Sequence, residues 1–277
     1  MGIASNVVPC LRLALCLIVA SFAATCAIAD EPVKSLILPG ESFLIEGRPG
    51  FILTPKPSES GGRTPWIFYA PTLNGLPDIH EKWMHEQFLA AGVAVAGIDI
   101  GEAYGSPNGR RLMTAFYDEL TTKRSFALKP CLLGRSRGGL WVTSWAGEHP
   151  DKVAGIAGIY PVFDLRNYPG VKNAAPAYEM TPDELESRLE EFNPLNQVSK
   201  LAAAKIPVYL IHGDIDQVVP LKQNSGEFAA RYQTAGAEKL VTVSVAEGQG
   251  HNYWEGFFRC QPLIDFAIER SREGAKP

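Results

Sequence analysis

The chain has 277 residues, 46% of them hydrophobic, and a formal net charge of −4. This suits one large domain with a sizeable core, and the acidic balance argues against a nucleic-acid partner. Leu11 to Ala24 is apolar apart from Arg12 and Ser21, and Ala27-Ile28-Ala29 before Asp30 has the small-residue pattern of a cleavage site. Residues 1–29 are therefore read as a secretory signal peptide and residues 30–277 as the mature domain, secreted or periplasmic. An uncleaved anchor and a lipidated Cys26 are the other readings, the second disfavoured by Thr25. Cleavage removes Arg12 and no acid, so the net charge moves from −4 to −5. No later stretch is long and apolar enough to span a bilayer, so no integral membrane association is expected after cleavage. Of five cysteines, Cys131 and Cys260 remain, as a disulfide or as two buried thiols.

Val33 to Leu38 and Ser42 to Ile45 read as a hairpin turning at Pro39-Gly40, with Phe51 to Thr54 continuing its sheet. Trp66 to Tyr69 is a continuous apolar run, the mark of a strand covered on both faces. Ile79 to Ala91 reads as a helix closed by Gly92, and Val93 to Ile98 as a second buried strand. After a Gly/Pro/Asn loop, Asn108 is placed to cap a helix over roughly 110–126. Cys131 to Leu133 and Val153 to Ile159 are further strands, flanking a helix from Gly139 to His149. Residues 161–200 are irregular, with one helix announced by Thr181-Pro182-Asp183-Glu184. Ile206 to Ile211 is a strand, Leu221 to Gln233 a helix and Leu240 to Val245 a strand. One helix is expected from Tyr253 to Arg270. Strands alternating with helices give an α/β fold with a mostly parallel central sheet and helices on both faces.

Gly134-Arg135-Ser136-Arg137-Gly138 lies between a strand and a helix and matches G-x-S-x-G, the nucleophile elbow. A serine on so sharp a turn presents its hydroxyl clear of the backbone. A Cβ at either flanking glycine should collide with neighbouring backbone, and Gly139 should let the helix pack closely. The helix N-terminus aims free N–H groups where an oxyanion would form.

A serine hydroxyl needs a base, usually imidazole, and the base needs a carboxylate. Among five histidines, His251 is the one in a late loop after the last strand. His80 and His85 lie on a helix before the elbow, His149 ends the elbow helix, and His212 reads as a structural strand-end residue. Asp214 and Asp216 both follow His212-Gly213 at a strand end. Ligands of open α/β sheets bind at the carboxyl ends of strands. Ser136, these two acids and His251 all belong there.

With these residues the chain resembles the α/β-hydrolase superfamily, and most of all the dienelactone-hydrolase and prolyl-oligopeptidase-like serine esterases. The resemblance rests on the elbow, on His212-Gly213 with Asp216, Val219 and Pro220, and on Gly250-His251. It implies a Ser136–Asp216–His251 triad with Asp214 as a loop residue, and a small cap at 161–200. Many members carry His-Gly after the third strand to begin the oxyanion hole; this chain reads Tyr69-Ala70-Pro71-Thr72-Leu73. The expected donors are the N–H of Arg137 and that of Thr72 or Leu73, since Pro71 has none. Glucuronoyl esterases look similar in having an arginine directly after the nucleophile. Their resemblance implies that the Arg137 side chain assists the oxyanion or meets an anionic substrate group; a structural pair with Glu102 is the alternative.

Glu102, Tyr104 and Trp254 are weaker candidates for the substrate pocket. His212, Asp214 and Asp216 do not have the spacing of a catalytic metal site, and neither metal nor cofactor is expected. The expected activity is hydrolysis of a small-molecule or carbohydrate-linked carboxylic ester through an acyl-enzyme. A prolyl-oligopeptidase-like peptidase is the first alternative, lowered by the lack of a propeller sequence. A catalytically silent hydrolase fold that only binds is the second.

Overall fold

Eight strands make one sheet in the order β1-β2-β4-β3-β5-β6-β7-β8. They are β1 (Gly40–Ile45), β2 (Arg48–Leu53), β3 (Trp66–Tyr69), β4 (Ala94–Ile98), β5 (Cys131–Arg135), β6 (Gly155–Ile159), β7 (Val208–Gly213) and β8 (Val241–Ala246). The computed structural model describes residues 1–2, 33–56 and 62–276. The signal peptide expected over residues 1–29, with its cleavage site, lies outside the described residues apart from Met1 and Gly2. β1 pairs with β2 and β2 with β4 in antiparallel fashion; every pairing from β4 through β8 is parallel.

The central strands are apolar because both faces are covered, and side chains alternate between two cores. Trp66 and Phe68 of β3 join one cluster, Ile67 and Tyr69 the other. The first is closed by α2 (Pro107–Asp118), α3 (Gly138–Glu148) and, further along the chain, α8 (Ser225–Thr234), through Phe116, Trp145 and Phe228. The second is closed by α1 (Lys82–Ala90) and α10 (Gln261–Gly274), through Met84, Phe88, Leu263 and Ile264.

Between β6 and β7, residues 161–203 hold short helices α4 (Val171–Ala174), α5 (Pro182–Ser187), α6 (Leu189–Phe192) and α7 (Val198–Ala203), the last running past residue 200. Thr181 caps α5 reciprocally with Glu184, as its sequence announced. Buried Asn193 pins the segment, accepting from the Leu165 amide and donating to Asp164.

Three elements differ from their expected form. The hairpin turns at Glu46-Gly47, both with positive φ, rather than at Pro39-Gly40, and Val33 to Leu38 is no strand. Two left-handed residues give the turn whose twist matches a two-residue hairpin. Ser106, not Asn108, caps α2, its Oγ accepting from the Gly109 amide with Pro107 in the first turn. The last helix is broken at Arg259-Cys260 into α9 (Glu255–Phe258) and α10, because Pro262 lacks the N–H that a continuous helix would use.

Among the described residues no helix is long and apolar enough to cross a membrane. Cys131 and Cys260 are free thiols, Cys131 wholly buried in β5 and Cys260 at the start of α10. Alkylation of denatured, unreduced protein should therefore label both. Recovery of the two residues in one cross-linked peptide by mass spectrometry would contradict this arrangement.

Candidate active site

Ser136 sits between the last residue of β5 and the first turn of α3 with φ at +51°, a left-handed conformation rare for a side-chain-bearing residue. The turn is held from both sides. The Ser136 amide donates to the Ile159 carbonyl at 2.9 Å, and the Ser136 carbonyl accepts from Gly139 at 3.0 Å and Val162 at 2.8 Å. A Cβ at Gly134 would lie 2.7 Å from the Gly138 carbonyl, and one at Gly139 would lie 2.5 Å from the Val162 carbonyl oxygen. At Gly138 the nearest atom would be 3.4 Å away, an ordinary contact. The second obligatory glycine is therefore Gly139, not the last glycine of the five-residue motif as expected.

The ends of β5, β7 and β8 bring Ser136, Asp216 and His251 together. Ser136 Oγ is 2.9 Å from His251 Nε2, and His251 Nδ1 is 2.7 Å from Asp216 Oδ2. Asp216 is 4% exposed, and its Oδ1 accepts from the amides of Val218 at 2.9 Å and Val219 at 2.8 Å. Burial opposes its charge, but the nearby His212 ring and the hydrogen bonds from His251 and the Val219 amide outweigh it and hold the carboxyl well below its ordinary range. Buried His212 is engaged at both nitrogens, with Ser225 Oγ at 2.8 Å and the Val219 carbonyl at 2.7 Å, and so braces the Asp216 turn. Asp214 is exposed. The His251 ring packs on Tyr160, centroids 4.4 Å apart.

These residues open into a cavity of about 200 Å³. Its walls include Thr72, Leu73, Arg135, Arg137, Tyr160, Tyr168, Val218 and Tyr253. The Thr72 amide turns back to the Ala70 carbonyl at 3.0 Å, whereas the amides of Leu73 and Arg137 have no acceptor among the described residues. The Arg137 guanidinium pairs with Glu102 and stands 5.6 Å from the centre of the Tyr168 ring. Glu102 and Tyr104 reach the cavity only through this arginine. Tyr104 is pushed up to about 12, by burial first and by its hydrogen bond to Glu102 second. Trp254 is exposed and packs on Phe257; its neighbour Tyr253 forms the wall.

Sequence reasoning missed the charged nest behind the serine. Arg135, 7% exposed, reaches Asp78 at 3.2 Å and Glu81 at 3.3 Å. The Tyr69 hydroxyl donates to both oxygens of the buried Glu81. Arg135 also lies 5.7 Å from the Tyr253 ring and 5.6 Å from that of Phe258, linking the His251 loop to β5. The available signal was a charge ending an otherwise apolar strand, at a position where the elbow pattern permits any residue.

The model of the prolyl oligopeptidase family matches residues 114–261, more than half of the chain. No curated protein matches the sequence. Among solved structures, Est1E from Butyrivibrio proteoclasticus aligns with a TM-score of 0.63 at 18% identity, over 83% of this chain and 98% of its own. The esterase domain from a Rhodothermus marinus protein aligns at 0.56 and 19% identity, over 83% and 98%. Porphyromonas gingivalis dipeptidyl peptidase 4 aligns at 0.64 and 17% identity, over 84% of this chain but 35% of its own. At such identities these likenesses speak to the fold, which is that of the α/β-hydrolases.

His85 adjoins the nest, fully buried and with neither ring nitrogen hydrogen-bonded. Burial chiefly, and the Arg135 charge next, lower it from 6.5 to about 3, against a smaller opposing pull from Asp78. Because the folded value is the lower one, the unfolded chain takes up the proton first. This contribution to stability is complete above the unfolded value and is lost as pH falls from 6.5 toward 3. His85→Phe should flatten the fall in unfolding free energy across that window by about one proton. Urea unfolding at several pH values measures it, and an unchanged slope would rule out His85 as the source.

Proposed function

The chain belongs to the prolyl oligopeptidase family of serine hydrolases, and we propose that it hydrolyses carboxylic esters through an acyl-enzyme formed on Ser136. The observation that carries this reading is the unbroken hydrogen-bonded line from Ser136 Oγ through His251 to Asp216, opening into the cavity. His251 Nε2 removes the hydroxyl proton as Ser136 Oγ attacks the acyl carbon. Asp216 stabilises the imidazolium and fixes its tautomer. The amides of Arg137 and Leu73 hold the oxyanion, and Thr72, whose amide is engaged, does not. His251 then returns the proton to the departing alcohol. Water, activated by the same imidazole, releases the acid and restores Ser136.

A cavity of about 200 Å³ is below the roughly 300–1,000 Å³ usual for whole-ligand pockets, so it encloses a small acyl or alcohol portion. Tyrosine hydroxyls and faces, with the Arg137 guanidinium at the mouth, suit a carbohydrate on the remaining portion. Est1E and the Rhodothermus marinus esterase domain share this fold, which supports the ester reading. The family match keeps a peptidase as the second reading. Turnover of acetylated sugars and short-chain aryl esters, with none of a prolyl anilide, is the expected outcome; the reverse preference would select the peptidase.

Ser136→Ala should abolish turnover. Asp216→Asn should lower kcat by about 10⁴-fold, the loss that follows when the histidine is left in the wrong tautomer. Asp214→Asn, on an exposed side chain, should stay close to wild type. A crippling Asp214→Asn with a mild Asp216→Asn would overturn the assignment.

We also propose export, supported by the apolar run and Ala27-Ile28-Ala29. The mature protein should begin at Asp30, and exported material that retains Met1 to Ala29 by mass spectrometry would contradict it.

A further inference from the structure

The two oxyanion donors are held very differently. The Arg137 amide belongs to the elbow itself. The Leu73 amide lies on a loop whose residues 73–75 are exposed and therefore not fixed by packing. The loop makes one local bond, from the Leu76 amide to the Leu73 carbonyl at 2.9 Å. Among the described residues a single long-range hydrogen bond reaches residues 73–75. Lys34 Nζ donates to the Asn74 carbonyl at 2.6 Å, from forty positions away in the chain.

Lys34 is 7% exposed, a rare state for an ammonium unless it is paired. Its Nζ lies 3.4 Å from Asp99 Oδ2, and Asp99 Oδ1 accepts from the Gly101 amide at 3.2 Å. Asp99 directly follows β4, so one end of the tie is anchored on the sheet. The Lys34 amide donates to Ser42 Oγ on β1 at 3.1 Å, which fixes the residue at its backbone. Burial pulls the ammonium pKa down while Asp99 pulls it up, the balance expected of a buried cation with one carboxylate.

We propose that Lys34 is a positioning residue that holds the Leu73 amide in the oxyanion hole by tying the Asn74 carbonyl to Asp99. It rests on the reading of Ser136 as nucleophile and Leu73 N–H as oxyanion donor. A neutral ester in its ground state carries little charge on its carbonyl oxygen, so the tie matters most once the oxyanion forms. Loosening the loop should raise the barrier and leave substrate binding nearly as it was.

The test is Lys34→Met in the exported mature protein, assayed on a short-chain aryl ester well below its unfolding temperature. Loss of one oxyanion donor costs about 10²–10³ in kcat, and a displaced one should cost about 10²-fold with KM within twofold. Affinity for an alkylboronic acid, whose serine adduct places an oxygen in the hole, should fall by a similar factor. Asp99→Asn keeps the side-chain shape and weakens one anchor. It should show the same signature at roughly a tenth of the size, and it carries the test if Lys34→Met does not fold. Unchanged kcat and boronate affinity in the folded variant, or a loss confined to KM, would overturn the inference. Ser136→Ala assayed alongside separates the failures: if it retains turnover, the nucleophile assignment is wrong. If it is inactive while the Lys34 variant is normal, only the positioning role is wrong.

Discussion

The site depends first on one backbone angle. Ser136 at φ +51° is a conformation that costs of the order of 1–3 kcal/mol and persists only where its surroundings over-determine it. Here they do so with little freedom. Gly134 and Gly139 let backbone meet backbone at distances no Cβ permits, and three hydrogen bonds lock the Ser136 peptide groups to β6, to α3 and to the segment that follows β6. Because β5 lies mid-sheet between β3 and β6, with apolar cores on both faces, relaxing the turn would disturb the most heavily packed part of the molecule. The strain is thus carried by the core, and the hydroxyl is left projecting at the strand end.

Two buried electrostatic structures then fix the direction of everything around the hydroxyl. On one side Asp216 is enclosed by two amides, His212 and His251, so its charge is met by donors from nearly every direction. On the other, Arg135 sits with Glu81, Asp78 and Tyr69 and faces two aromatic rings. Buried pairs of this kind add little net stability, yet removing one partner leaves an uncompensated charge at a cost of about 3–5 kcal/mol. Their consequence is geometric. The loop carrying His251 and Tyr253 has few orientations in which both nests stay satisfied.

What was legible in the sequence follows from how local each determinant is. The parallel strands are continuous apolar runs because both faces are covered, and the elbow is a five-residue pattern between a strand and a helix. Both are short-range signals, and the fold could be read from them. Ser136, Asp216 and His251 were legible for the same reason: each stands just past a strand end, and the sheet gathers strand ends. Contacts made by loops were not legible. Trp254 and Tyr253 are adjacent in sequence just before α9, and nothing local tells which of them lines the cavity. Arg135 reads as an unconstrained motif position until the nest around it is visible. Pro39-Gly40 and Glu46-Gly47 are both plausible turns by composition, so composition alone does not place the hairpin. Pairing of β2 with β4, a long-range fact, selects the second.

The site also divides into parts that are built into the core and parts that are attached to it. Ser136 and the Arg137 amide come from one turn, so neither can move without the other, and both are held by buried backbone. The loop bearing Leu73 and the β6–β7 segment bearing Tyr168 meet the cavity from outside the sheet, through few contacts. A change in the first group alters the reaction and the fold together. A change in the second alters the shape of the cavity while β5, α3 and their cores stay intact. Selectivity of the proposed hydrolysis is therefore most readily set by Leu73, Tyr168 and the Arg137–Glu102 pair at the mouth, and its chemistry by the turn beneath them.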